Sequence, residues 1–101
     1  MPEKKPLEWS PRSRRNIESI RDHISADNPA AAQSVLDEIR RTAEGLGGFP
    51  MLGHVGQRAG TRELVLPKYP YIIVYRLSAK KIGIVAVTHQ SRKNSSQSEP
   101  L

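Results

Sequence analysis

The chain has 101 residues, of which 37% are hydrophobic and 26% are charged, and it contains no cysteine. This length suits one domain with a small core, and the missing cysteines exclude a disulfide scaffold, a zinc ribbon and thiol chemistry. No window approaches the roughly 18 apolar residues of a membrane span, and the start of the chain lacks the apolar stretch of a signal peptide. We therefore expect a cytoplasmic protein without a membrane partner.

The formal net charge of +6 lies entirely in the second half of the chain. Residues 1–50 contain eight Lys and Arg against eight Asp and Glu, whereas residues 51–101 contain eight against two. Such asymmetry is typical of a surface that binds phosphate or an acidic protein segment, although a solvated basic face without function has the same composition. Charge alone does not separate these two interpretations.

The first element is a brief strand followed by a helix. Residues 6–10 predict the strand, because two apolar residues alternate there before a stop signal. Ser10 and Pro11 predict the helix start, since serine caps the first turn and proline is favoured at the first helical position. Isoleucines spaced three and four residues apart continue this amphipathic helix to about Ala26.

A second helix follows after a short link. Asn28 and Pro29 repeat the cap-and-proline signal, and a stripe of apolar residues runs to Gly47 and Gly48, where the helix is predicted to end. Because the link between the two helices is only two or three residues long, we expect an antiparallel helical hairpin.

The second half of the chain predicts strands. Residues 49–60 lose the helical period and read as an irregular connection rich in glycine. Thr61–Leu66, Tyr69–Leu77 and Lys81–Thr88 are β-branched or aromatic runs, and their short links require antiparallel neighbours. The predicted fold is α+β in the order β-α-α-β-β-β, with the helical hairpin packed on a small antiparallel sheet. We expect a single domain over residues 1–93 and a flexible polar tail over residues 94–101.

Motifs for metal, phosphate or nucleotide chemistry are missing. The sequence has no Gly-rich phosphate loop and no HExxH, and His23, His54 and His89 are too scattered to suggest a metal site. We therefore expect no cofactor, no metal and no small-molecule substrate.

Three segments in order resemble the RelE/ParE superfamily of bacterial type II toxin–antitoxin toxins. They are WSPRSRRNIESIRDHISADNPAAAQSVLDEI, GTRELVLPKYPYIIVYRL and VAVTHQSR, and the resemblance covers about residues 7–93. It implies the fold predicted above for a small basic toxin. It also implies a partner, an antitoxin whose acidic and partly disordered C-terminal segment wraps the toxin and holds it inactive.

The resemblance implies one of two cellular targets. RelE-like members cleave ribosome-bound mRNA without a metal, using basic residues that position the backbone and offset the charge of 2′-OH attack. Their pattern has two lysines and an arginine where this chain has Glu63, Val65 and Ile72. It also has an arginine after the last strand, which Arg92 matches, and an aromatic residue near the end, which the tail beyond Lys93 lacks.

We therefore favour the ParE-like branch, whose members bind DNA gyrase, block its reaction cycle and cause cleaved DNA to accumulate. In this branch the toxin makes and breaks no bond, so no catalytic residue is predicted. The metal-independent endoribonuclease, acting on the ribosome and mRNA, is the alternative. A free-standing basic RNA-binding module is a third hypothesis, which the helical hairpin disfavours.

Six residues are candidates for binding the target or the antitoxin: Arg62, Tyr75, Arg76, His89, Arg92 and Lys93. Arg62 either faces a groove together with Arg76 or pairs with the neighbours of Glu63. Tyr75 shares a strand face with two other tyrosines, which either stack on bases or pack against the helices. His89 is either a phosphate contact or general base, or a hydrogen-bonding group at the strand end.

Overall fold

The structure, a computed structural model, describes residues 4–91, which form two helices and five strands. In chain order these elements are β1 (Leu7–Trp9), α1 (Pro11–Ser25), α2 (Pro29–Gly48), β2 (His54–Val55), β3 (Arg62–Val65), β4 (Tyr71–Leu77) and β5 (Ile82–His89). Neither helix of this part of the chain combines the length and the apolar character that a bilayer span requires.

Both helices begin at the predicted cap-and-proline pairs. The Oγ of Ser10 accepts a hydrogen bond from the backbone N–H of Ser13 at 3.0 Å. The Oδ1 of Asn28 accepts one from Ala31 at 3.0 Å. Each cap satisfies a donor of the first turn that has no partner within the helix, and this is why the chain becomes helical at these positions.

The five strands form one sheet in the order β1-β5-β4-β3-β2. The pairs β2–β3, β3–β4 and β4–β5 are antiparallel, whereas β1 runs parallel to β5, with Leu7 opposite Ile82 and Trp9 opposite Ile84. The predicted α+β fold is confirmed. The sheet is mixed rather than wholly antiparallel, because the short links constrain only β3, β4 and β5. It also gains β2, which lies in the segment predicted to be irregular.

The hydrophobic core lies between the two helices and one face of the sheet, which we call the helix face, with Ile17, Ile20 and Ile24 of α1 half-buried against it. Its most buried side chains, all at most 3% exposed, are Val35, Ile39, Ala43, Leu46, Leu66, Ile73, Tyr75, Ile82, Ile84 and Val87. Side chains alternate along each strand, so the intervening residues project from the opposite side, which we call the far face. The far face carries Glu63 and Val65 of β3, Ile72, Val74 and Arg76 of β4, and Ala86 and Thr88 of β5.

Candidate functional site

Arg62 and Arg76 lie on opposite faces of the sheet. Arg62 is paired with Tyr75 in the β3–β4 register, so Arg76, one residue further on, projects from the far face. The Nη2 of Arg62 donates to the carbonyl oxygen of Gly53 and to that of Met51, the latter at 3.3 Å. The two arginines therefore do not share a groove. Arg62 instead holds the loop of residues 50–53, which follows α2.

Tyr75 anchors the same loop from inside the core. Its ring is fully buried. Its hydroxyl donates to the carbonyl oxygen of Pro50 at 2.8 Å and accepts from the backbone N–H of Gly53 at 3.0 Å. Of the two interpretations of the tyrosines, packing against the helices describes Tyr75, which has no exposed ring on which a base could stack.

Only glycine fits at position 53. A Cβ there would lie 2.7 Å from the carbonyl oxygen of Glu63 and 2.8 Å from the Tyr75 hydroxyl. The close approach of the loop to β3 and β4 therefore depends on the missing side chain.

The anchored loop presents large apolar side chains to solvent. Phe49 is 71% exposed, Met51 62%, Leu52 58% and Val55 74%, and we call these four residues the apolar edge. This surface was not predicted, because residues 49–60 lack a periodic apolar pattern and read as an irregular connection. The available signal was four large apolar residues within seven positions and outside any periodic element.

A cavity on the far face brings three arginines to one place. Arg12 of α1, Arg58 of the turn before β3, and Arg76 line this cavity of about 220 Å³, and we call them the arginine cluster. Within residues 4–91 none of the three forms an ion pair. Glu63 lies in the same wall, 4% exposed, and its Oε2 accepts from the N–H of Gln57 at 3.4 Å. The sequence pointed to Arg76 alone, because only the tertiary fold brings the other two beside it.

The three positions that differ from the RelE-like pattern are neighbours on the far face. Val65 lies directly opposite Ile72 across β3 and β4, and Glu63 precedes Val65 by two residues on the same face of β3. Ile72 is 5% exposed and Val65 is 38% exposed. Two aliphatic side chains and one carboxylate thus stand where that pattern has cations.

His89 closes β5 with local hydrogen bonds. Its Nδ1 accepts from the backbone N–H of Ser91 at 3.1 Å and lies 2.8 Å from the Ser91 Oγ. The ring also meets Tyr71 edge to face, with centroids 5.2 Å apart. These contacts are those of a hydrogen-bonding group at a strand end. The remaining candidates, Arg92 and Lys93, lie outside the described residues, as does the predicted tail.

The comparisons with known proteins agree with this architecture. Residues 7–94 match the family model described as the ParE toxin of type II toxin–antitoxin system, parDE. The chain is 37% identical to a protein of Sinorhizobium fredii named as a toxin, Y4kP, over 85% of this chain and 88% of that protein. It is 32% identical to Toxin RelE2 of Caulobacter vibrioides, over 83% of this chain and 93% of the relative.

A solved structure supports the same fold. A chain from the chromosomal ParDE toxin–antitoxin system of P. aeruginosa superimposes with a TM-score of 0.76 at 21% identity, covering 85% of this chain and 96% of the other. The resemblance to the RelE/ParE superfamily is thus confirmed by sequence and by fold. The chain belongs to the family of ParE toxins of type II toxin–antitoxin systems.

Proposed function

We propose that this toxin arrests growth by binding DNA gyrase and blocking its reaction cycle, without cleaving RNA itself. Membership of the family makes the chain the toxin component of a type II toxin–antitoxin module, with an antitoxin as its partner. The observation that carries the choice of gyrase is the composition of the far face, where Val65 and Ile72 form a cross-strand pair beside Glu63.

Electrostatics make this part of the far face unsuitable for RNA cleavage. Attack of a 2′-OH on the adjacent phosphate builds negative charge in the transition state, which must be offset by donors or cations placed in advance. Aliphatic side chains supply neither. A carboxylate at the same place raises the energy of that charge, because like charges repel more strongly where water is excluded.

The arginine cluster suits a target whose surface is anionic, such as a topoisomerase holding DNA. Three guanidinium groups around one cavity, without internal ion pairs in residues 4–91, remain available for carboxylate or phosphate. The same observation favours the alternative function, a ribosome-dependent and metal-independent mRNA endoribonuclease, since arginines also bind RNA phosphates. The two functions differ in whether a phosphodiester bond is broken by the toxin.

Two assays run side by side separate these functions. Purified toxin is added to a gyrase supercoiling and cleavage assay, and to a translation reaction whose mRNA is then mapped by primer extension. We expect loss of supercoiling with accumulation of cleaved DNA, and no new cuts in the mRNA. Addition of the antitoxin serves as the control and should restore supercoiling.

The arginine cluster is tested in the same assays. Arg76→Ala is expected to weaken inhibition of gyrase, whereas Lys80→Ala, which removes an exposed cation from the β4–β5 turn, is not. Site-specific mRNA cuts that disappear in Arg76→Ala but persist in Lys80→Ala would replace gyrase by the endoribonuclease function.

A further inference from the structure

We propose that the apolar edge and the outer side of β2 bind an extended segment of the antitoxin that carries both apolar and acidic side chains. The proposal rests on the antitoxin partnership and concerns where on the toxin that partner lies. It assigns a role to Phe49, Met51, Leu52 and Val55, which neither the core nor the far face uses.

The exposure of these four side chains is the first argument. They are 58–74% exposed within seven consecutive positions, whereas the aliphatic side chains that α2 and β5 contribute to the core are almost fully buried. Apolar surface in water is unfavourable in proportion to its area. Four such side chains within seven residues of a small protein are typical of a surface that a partner covers.

The rigidity of the loop is the second argument. Two side chains of the sheet hold four backbone groups of residues 50–53. The Tyr75 hydroxyl bonds the Pro50 carbonyl and the Gly53 N–H. The Arg62 guanidinium bonds the carbonyls of Met51 and Gly53. A loop fixed in this way loses little conformational freedom when a partner binds, so more of the contact energy appears as affinity.

The position of β2 in the sheet determines the shape of the partner. β2 is the last strand of the sheet, and within residues 4–91 it pairs only with β3. Its outer side faces no other strand of residues 4–91, and the side chains of His54 and Val55 are exposed there, with the Val55 carbonyl oxygen 3.1 Å from the His54 Nδ1. An extended peptide satisfies such an edge by adding a further strand, and its alternate side chains then meet the apolar edge.

The charges around the edge determine the chemistry of the partner. Residues 45–62 contain Arg58 and Arg62 and no Asp or Glu, and Glu63, which lies opposite His54 across β2 and β3, is buried at 4% exposure. A second copy of the chain would bring the same cations into contact, and like charges disfavour that arrangement. An acidic segment complements them, so the occupant is the antitoxin rather than another toxin.

Paired substitutions of opposite charge test both parts of the proposal. Leu52→Glu with Val55→Glu, and Leu52→Lys with Val55→Lys, remove the same apolar surface but differ in the sign of the new charge. Against purified antitoxin we expect Kd to rise about 100-fold for the glutamate pair and about tenfold for the lysine pair. Ala30→Glu with Ser34→Glu, on the exposed side of α2, is the matched control and should leave Kd unchanged.

Hydrogen exchange of the unmodified toxin gives an independent measurement. Amides of residues 51–55 should exchange more slowly in the complex than in the free toxin, and melting curves report whether each variant is folded. Equal increases in Kd for the glutamate and lysine pairs would contradict the proposal that the antitoxin segment is acidic. Unchanged Kd values and unchanged exchange would place the antitoxin elsewhere.

The other occupants give distinct results. Growth inhibition lost while antitoxin affinity is retained would assign the edge to the cellular target, and a toxin dimer abolished by either pair would assign it to a second copy. Each of these results contradicts the proposal. Failure of the unmodified toxin to bind any antitoxin would instead overturn the partnership on which the proposal rests.

Discussion

The hydroxyl of Tyr75 is the polar group on which the loop after α2 depends. Tyr75→Phe removes this oxygen and keeps the buried ring, leaving the Gly53 N–H and the Pro50 carbonyl without their partner. We expect the free energy of unfolding to fall by about 1–3 kcal/mol, measured by denaturant titration. Tyr69→Phe is the matched control, since Tyr69 is only half-buried and its hydroxyl makes no hydrogen bond within residues 4–91. Equal losses for the two variants would show that the loop does not need the hydroxyl.

Arg92 and Lys93 test where toxicity resides. The sequence predicts no packing role for these two cations, and function concentrates at positions that packing does not use. Replacing both with alanine is expected to change stability by less than about 0.5 kcal/mol and to weaken growth inhibition when the toxin is expressed without antitoxin. Full toxicity at an unchanged melting temperature would move the target surface elsewhere, for example to the charged side of the helical hairpin.

The sequence could not determine on which face Arg62 lies. Strand alternation assigns faces within one strand, but the relation between β3 and β4 depends on the register across their connection. In the structure this connection closes with the Leu66 N–H donating to the Tyr71 carbonyl at 2.9 Å, which sets Arg62 opposite Tyr75. Pro67 predicts that a turn joins the two strands, but it does not predict the register in which they pair.

At the scale of elements, Ser10 joins the start of α1 to β5. Its Oγ accepts from the Ser13 N–H at 3.0 Å and donates to the Val85 carbonyl at 2.8 Å. Val85 is the extra residue of a bulge, because Val74 pairs with Ala86 while Tyr75 pairs with Ile84. One hydroxyl thus caps a helix and satisfies a carbonyl at an irregular point of the sheet.

Ser10→Ala is expected to lower the free energy of unfolding by about 1–2 kcal/mol, because it removes both hydrogen bonds. Ser34→Ala, at an exposed position inside α2, should be neutral or slightly stabilising, since alanine is the better helix former. Thermal or denaturant unfolding of the two variants provides the comparison. A loss for Ser34→Ala as large as that for Ser10→Ala would mean that the cap is not the cause.

The elements differ in how well sequence predicts them. The helix starts were correct because their signals are local: a cap, a proline and an apolar stripe all lie within a few residues. β2 was missed because it has two residues, both exposed, and exists only through pairing with β3. The parallel pairing of β1 with β5 was missed for a related reason, since no local signal sets the direction of strands separated by two helices.

At the scale of the whole molecule, the net charge of +6 predicts how the toxin meets its antitoxin. The acidic antitoxin segment that we propose would be attracted to the basic toxin before contact, and salt screens such attraction over about 8 Å at physiological ionic strength. We expect the association rate, measured by stopped flow, to fall by at least tenfold between low and high salt, with a smaller change in the dissociation rate. An association rate independent of salt would contradict electrostatic steering.

The pairing of β1 with β5 also has a consequence for synthesis on the ribosome. Ser10 and Val85, which bond to each other, are 75 residues apart, and β5 lies between β1 and β4 inside the sheet. The helical hairpin emerges first but cannot complete its core until the last strand has been translated, because the strand next to β1 does not yet exist. A stop codon before Ile82 therefore yields a nascent chain that lacks an interior strand of the sheet. We expect such a chain to lose both its fold and its toxicity.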